Sequence, residues 1–114
     1  MEFIIEYYEK ENKEKPVEDF ISSLDFKTRQ KIFSYILMLK EKGWLPFPYA
    51  SHIEGKIWEL RIKYSSNIYR ILYFIHSGRQ IVLLHGFVKK TQKTPRGDIN
   101  MAIKRMNDFI GRAK

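Results

Sequence analysis

Three cations stand inside stretches that otherwise read as apolar β-strands: Arg61 and Lys63 in one, Arg70 in the next. A charge set among Ile, Leu, Tyr and Phe needs a partner or an anionic ligand. Arginine offers a planar fork of donors that matches two phosphate oxygens, and lysine supplies a point charge. A phosphate site is therefore the chemistry these residues suggest; the alternative is an internal ion pair with Glu59 or Glu54. A second basic run, Lys89, Lys90, Lys93 and Arg96, leads into a helix start, where free amide groups also attract phosphate. It can equally be a solvated charged segment. His85 could exchange protons near neutral pH or be a hydrogen-bonded strand histidine. Phe87 could stack on a nucleobase or pad the sheet. His52 reads as a surface histidine, and Trp44, Phe47 and Tyr49 as packing residues of a Pro-rich loop. No two histidines stand at metal-ligand spacing and cysteine is absent, so neither a metal nor a disulfide is expected.

The chain of 114 residues is long enough for one core without staples, and a single domain over 1–114 is expected. Its formal charge is +8. The first 25 residues hold eight acids and three bases, so the rest is a strongly basic body, suited to a polyanion such as nucleic acid. The N-terminus lacks the basic and apolar regions of an export signal, and the longest apolar runs fall far short of the ~20 residues of a membrane span. A soluble cytoplasmic protein without membrane contact is the expectation.

The elements that position these residues follow from their patterning. Residues 2–8 read as a first strand. Pro16 opens a short helix to about Leu24. Asp25 caps a longer helix ending near Lys42, with Gly43 beyond its end and Ile32, Ile36 and Leu39 on one stripe. Residues 44–55 read as a loop. Strands follow at Lys56–Tyr64, Ile68–His76 and Ile81–Val88, joined by short turns. Thr94 and Pro95 read as N-cap and first residue of a last helix carrying Ile99, Ile103, Met106 and Ile110. The order β-α-α-β-β-β-α gives an α+β fold, a small twisted antiparallel sheet packed against N-terminal helices and a C-terminal helix.

Alternate strand residues share a face. If both hairpin turns are even in length, Arg61, Lys63, Arg70, His85 and Lys89 fall on one face with Leu72, Phe74 and Phe87. Trp58, Leu60, Ile62, Tyr69, Ile71, Tyr73 and Ile75 fall on the other, which should pack on the helices. A one-residue slip would exchange the faces.

The runs Ile57-Trp58-Glu59-Leu60-Arg61, Tyr69-Arg70-Ile71-Leu72-Tyr73 and Leu84-His85-Gly86-Phe87-Val88-Lys89-Lys90-Thr91-Gln92-Lys93-Thr94-Pro95, with Ala102 and Arg105 after them, resemble the phage-derived, Gp49-like and HigB-like branch of the RelE toxin superfamily. The resemblance covers roughly residues 44–110. It implies the toxin of a type II toxin–antitoxin pair: an endoribonuclease that cuts mRNA in the ribosomal A site without metal or cofactor. The implied partners are mRNA, the ribosome and a cognate antitoxin, in this branch often a helix-turn-helix DNA-binding protein.

By position, the family's catalytic bases fall on Arg61, Lys63 and Arg70, and on Lys89 or Lys90 after the last strand. Lys93, Arg96, His85 and Phe87 are candidate RNA contacts. Some relatives add a His or Tyr toward the C-terminus as acid–base group. No His or Tyr follows His85 here, so the general base stays open, with Lys93 or Arg96 nearest that place. Such cleavage turns the 2′-hydroxyl on the adjacent phosphate. One group must take a proton, one must hold the growing charge and one must protonate the leaving 5′-oxygen. Arg61 and Arg70 are candidates for the charge, Lys63 for acid–base work. A non-cleaving basic inhibitor of the ribosome, or a phage-derived binding protein, would need the same basic face.

Overall fold

The structure, a computed structural model, describes residues 3–89 and 92–113, with Lys89 described by its backbone alone. Its elements are β1 (Ile4–Tyr7), α1 (Pro16–Ser22), α2 (Phe26–Lys42), β2 (Ala50–Glu54), β3 (Ile57–Tyr64), β4 (Asn67–His76), β5 (Gln80–Lys89) and α3 (Arg96–Arg112). The α+β class and the order of the expected elements hold. One strand is added: residues 50–54, expected in a loop, pair with β3 across the two-residue turn Gly55-Lys56, where Gly55 takes φ 55°.

The sheet order is β1-β5-β4-β3-β2. All neighbours are antiparallel except β1, which runs parallel to β5. No hairpin fixes the direction of β1, because two helices intervene. Running parallel, it lays Ile5 and Tyr7 against the core beneath those helices.

Local chemistry explains the helix ends. Pro16 sits in the first turn of α1, where a missing N–H costs nothing. The Asp25 carboxylate accepts from the Thr28 amide at 3.2 Å and starts α2. Gly43 ends it at φ 81°, its N–H donating to Leu39 O at 2.7 Å. A Cβ at Gly43 would also lie 2.2 Å from the Phe3 ring, so a side chain is excluded there by conformation and by space. Thr94 does not cap α3. Pro95 holds the cap position without a side-chain bond, and the Thr94 hydroxyl turns inward, as described below.

Both faces of the sheet are packed. Ile32, Ile36 and Leu39 of α2 and Ile21 of α1 close on Leu60, Ile62, Ile71 and Leu83. On the far face α3 sets Ala102, Ile103, Met106 and Phe109 against Leu72, Phe74, Val82 and Leu84. Each such aliphatic side chain contributes about 1.5–3 kcal/mol on burial. The face expected to be open and basic is thus half covered by α3. Trp58 and Ile75, assigned to the helix-covered face, lie beyond the helices and are partly exposed. Among the described residues, no helix is long and apolar enough to cross a membrane.

The register agrees with the expected faces, but at one hairpin by another route. Ser65 and Ser66 form a two-residue turn, Ser65 at φ 60°, and set Arg61 opposite Arg70. The next turn is odd, Ser77-Gly78-Arg79, with His76 opposite Gln80. Left alone, it would put the wrong face of β5 beside Arg70. A bulge restores the parity: Tyr73 pairs with Leu83 and Leu72 with His85, so Leu84 is the extra residue. Arg70 then pairs with Phe87.

Candidate functional site

Arg61, Arg70 and Phe87 lie in one row across β3, β4 and β5, but the row is not uniformly accessible. Arg70 is completely buried. Its NH1 is 3.7 Å from Glu59 Oε2 and 3.4 Å from Thr94 Oγ1, and its NH2 donates to Gln92 O at 3.2 Å. Glu59 is buried as well, and its Oε2 accepts from the Thr94 hydroxyl at 2.5 Å. Of the two roles open to Arg70 in the sequence, its geometry is that of the internal ion pair with Glu59. Together Arg70, Glu59 and Thr94 fasten the connection between β5 and α3 onto the sheet.

Arg61 shares the same carboxylate from the other side, its Nε 3.6 Å from Glu59 Oε1. That Nε is buried and makes no hydrogen bond. The guanidinium turns outward over the Phe47 ring, 5.9 Å from its centroid, a cation–π contact. Two residues on, Lys63 is exposed and makes no ion pair among the described residues. Arg61 and Lys63 line a cleft of about 460 Å³ together with Tyr35, Phe47, Tyr49 and Gln92. This is the size of a small-ligand pocket.

The loop after α2 forms the aromatic wall. The amides of Tyr49 and Ala50 both reach Pro46 O, at 2.9 and 3.2 Å, and close a turn. The Arg61 amide donates to Tyr49 O at 2.8 Å and ties that turn to β3. Phe47 and Trp44 are 73% and 62% exposed, so neither is a core residue. Tyr49 is 44% exposed and meets Tyr35 ring to ring at 5.9 Å. Phe47 and Tyr49, read as packing residues, pack against Arg61 and Tyr35 and also line the cleft, whereas Trp44 lies outside it. The available signal was the crowding of three aromatics among prolines next to a Gly helix stop. A loop that short cannot bury them all.

The remaining candidates are dispersed. His85 is held on two sides. Its Nε2 lies 2.6 Å from Asp98 Oδ1 and its Nδ1 3.3 Å from Arg105 NH1. Arginine can only donate, so Nδ1 accepts and the proton sits on Nε2, toward Asp98. The ring stacks on Phe87 at 5.4 Å and 25°. Phe87 is itself buried against α3. Burial also lowers the Arg105 pKa from its usual range.

Arg96 grips Glu54 with both amino groups, at 2.7 and 3.3 Å, and joins the start of α3 to β2. The pair raises the arginine and lowers the carboxyl relative to their ordinary values. Lys93 is exposed on the connection before α3. Lys90 and the Lys89 side chain lie outside the described residues. Among the described residues no three His, Asp or Glu side chains gather as a metal site.

In the cleft an Arg–Lys pair stands beside tilted and exposed aromatic rings, an arrangement fit to hold phosphate and a flat ring together. No curated protein matches the chain. The family model described as "Phage derived protein Gp49-like (DUF891)" matches residues 19–107, a span that includes the whole cleft and the Arg70 network. That span is most of the chain. It therefore belongs to the Gp49-like family of phage-derived proteins, a family of RelE/HigB-like toxins, and the family implies an antitoxin as partner.

Proposed function

We propose that residues 1–114 form a single toxin domain that acts in the cytoplasm as a ribosome-dependent endoribonuclease, cutting mRNA in the A site. The observation that carries this reading is the exposed Lys63 beside the half-buried Arg61 guanidinium on the wall of an aromatic-lined cleft. In the reaction the 2′-hydroxyl oxygen bonds to the adjacent phosphorus and the bond to the 5′-oxygen breaks. The products are a 2′,3′-cyclic phosphate and a 5′-hydroxyl end. Arg61 stabilises the charge on the phosphate, and Lys63 exchanges the proton. Arg70 is a positioning residue. Through Glu59, Thr94 and Gln92 O it holds the segment that carries Lys89, Lys90 and Lys93, which contact the RNA backbone. The cognate antitoxin, a helix-turn-helix protein in this reading, blocks the basic face.

The test is to express the chain without antitoxin and map new 5′-hydroxyl ends across the transcriptome, beside Lys63→Ala. In-frame ends within translated messages, reduced about 10²–10³-fold in rate by the substitution, support the reading. A second reading has its own observation: Arg70 and His85 are both engaged internally, so neither reaches the cleft as an acid–base group. A non-cleaving inhibitor needs only the basic surface, and arrest of growth without new ends would favour it.

A further inference from the structure

The cleft is built from two different chemistries set at a fixed separation, and only one of them serves the phosphate. Arg61 and Lys63 supply charge from β3, while Phe47 presents a ring that is 73% exposed on a loop otherwise tied down. The tie is direct. Arg61 N–H binds Tyr49 O, the Pro46–Ala50 turn closes on itself, and the Arg61 guanidinium lies over the Phe47 ring. With Arg61 over one face of the ring, the exposed remainder is a surface on which a flat base can stack. A loop already tied to β3 avoids the ordering cost that a flexible loop pays on binding.

We infer that Phe47, on a cleft wall shared with Tyr49 and Tyr35, is the platform on which one unpaired RNA nucleobase stacks while its own phosphate lies on Arg61 and Lys63. The inference rests on the nuclease reading for the identity of the polymer and adds to it the residue that senses a base. The cleft opens beside the sheet edge and its charge is positive, which matches a single strand with its base turned out. A paired base is sequestered in its stack and cannot reach the ring. Stacking on a benzyl ring tolerates every base, so the platform gives a preference for unpaired nucleotides rather than a sequence code.

The experiment compares two fluorescein-labelled probes of equal length and charge, a single-stranded oligouridylate and its abasic ribose-phosphate counterpart, by anisotropy with the purified chain. The wild type should bind the oligouridylate more tightly, on the order of tenfold. Phe47→Ala should remove that preference and leave the abasic probe within about twofold, whereas Phe47→Trp should keep it. Lys63→Ala should weaken both probes alike and lower the salt slope by about one. Phe47 touches solvent over most of its surface, so its substitution leaves the fold intact.

Equal binding of the two probes by the wild type, or an equal loss on both in Phe47→Ala, overturns the platform. Mapping 5′-hydroxyl ends in cells expressing the wild type, beside Phe47→Ala, separates the two proposals. Loss of base preference in a protein that never produces such ends sinks the nuclease reading and keeps the platform. Undiminished cleavage with no base preference to lose does the opposite.

Discussion

Arg61 and Arg70 face each other across β3 and β4, share one carboxylate, Glu59, and yet stand in opposite surroundings. Arg70 is sealed under the connection to α3, with its amino groups on Glu59, Thr94 and Gln92 O. Arg61 bends outward past the same carboxylate and meets Phe47 at the wall of an open cleft. One strand position in a pleated sheet therefore does not define a role. What separates the two is the cover: Gln92 and Thr94 close over Arg70 and Glu59, whereas the Lys63 end of β3 stays exposed. The buried half of the basic row is architecture for the open half.

The sharpest way to break this comparison is Arg70→Ala. It leaves the buried Glu59 carboxylate without its main counter-charge, and removing one partner of a buried pair costs about 3–5 kcal/mol. The urea midpoint should fall accordingly. Replacing Arg70 and Glu59 together with apolar residues of similar volume should recover most of the loss, because the desolvation cost of both ions goes with them. A loss under about 1 kcal/mol for Arg70→Ala would mean that the guanidinium reaches water and the buried half is not as described. The same arithmetic makes Arg70→Ala a poor probe of catalysis, since loss of activity would follow from loss of the fold.

Much of the fold is legible in the sequence because single residues carry it. Asp25 and Gly43 mark both ends of α2, and alternation marks β3 and β4. What escapes is set by contacts far apart in the chain. Thr94 looks like a helix cap until Glu59, 35 residues earlier, takes its hydroxyl. The bulge at Leu84 leaves no composition signal, since Leu83 and Leu84 are both buried, one on each face. The short strand β2 hides among prolines and reads as loop, because an edge strand of five residues has too little alternation to show. The candidate site divides in the same way. Its cations on β3 are legible as charges out of place, but their accessibility depends on where α3 lies. The aromatic wall depends on a loop whose exposure no periodicity encodes.

His85 offers a smaller test of the covered half. Its Nε2–H to Asp98 links β5 to the first turn of α3, and both side chains are about four-fifths shielded. A hydrogen bond to a charged partner in that setting contributes about 1.5–3 kcal/mol. His85→Ala should lower stability by that amount and leave oligonucleotide binding within about twofold, because the ring faces Phe87 and Arg105 rather than the cleft. A loss of RNA affinity larger than the loss of stability would instead place His85 in the site and move the boundary between the two halves.

The smallest expected effect lies at the opposite end of α3, where charge is paired in the open. The Asp108 carboxylate accepts from the Tyr8 hydroxyl at 2.6 Å and from Arg112 at 2.5 Å. The Tyr8 bond first, and Arg112 after it, hold its pKa below the usual carboxylate value. A carboxyl depressed in the folded state stabilises fully above its unfolded value of about 3.9 and loses that contribution as pH falls through the folded value. The urea midpoint should thus drop between about pH 5 and pH 2. Asp108→Asn should have a slightly lower midpoint at pH 7 and a shallower acid decline, since the amide has no proton to take up. Glu54 beside Arg96 and Asp25 at its helix cap shift the same way, so the slope should be reduced by the substitution rather than abolished. Exposed pairs contribute little. If Asp108→Asn flattened the acid limb completely, Glu54 and Asp25 would add nothing to it, and their pairing with Arg96 and the Thr28 amide would fail as a source of acid-sensitive stability.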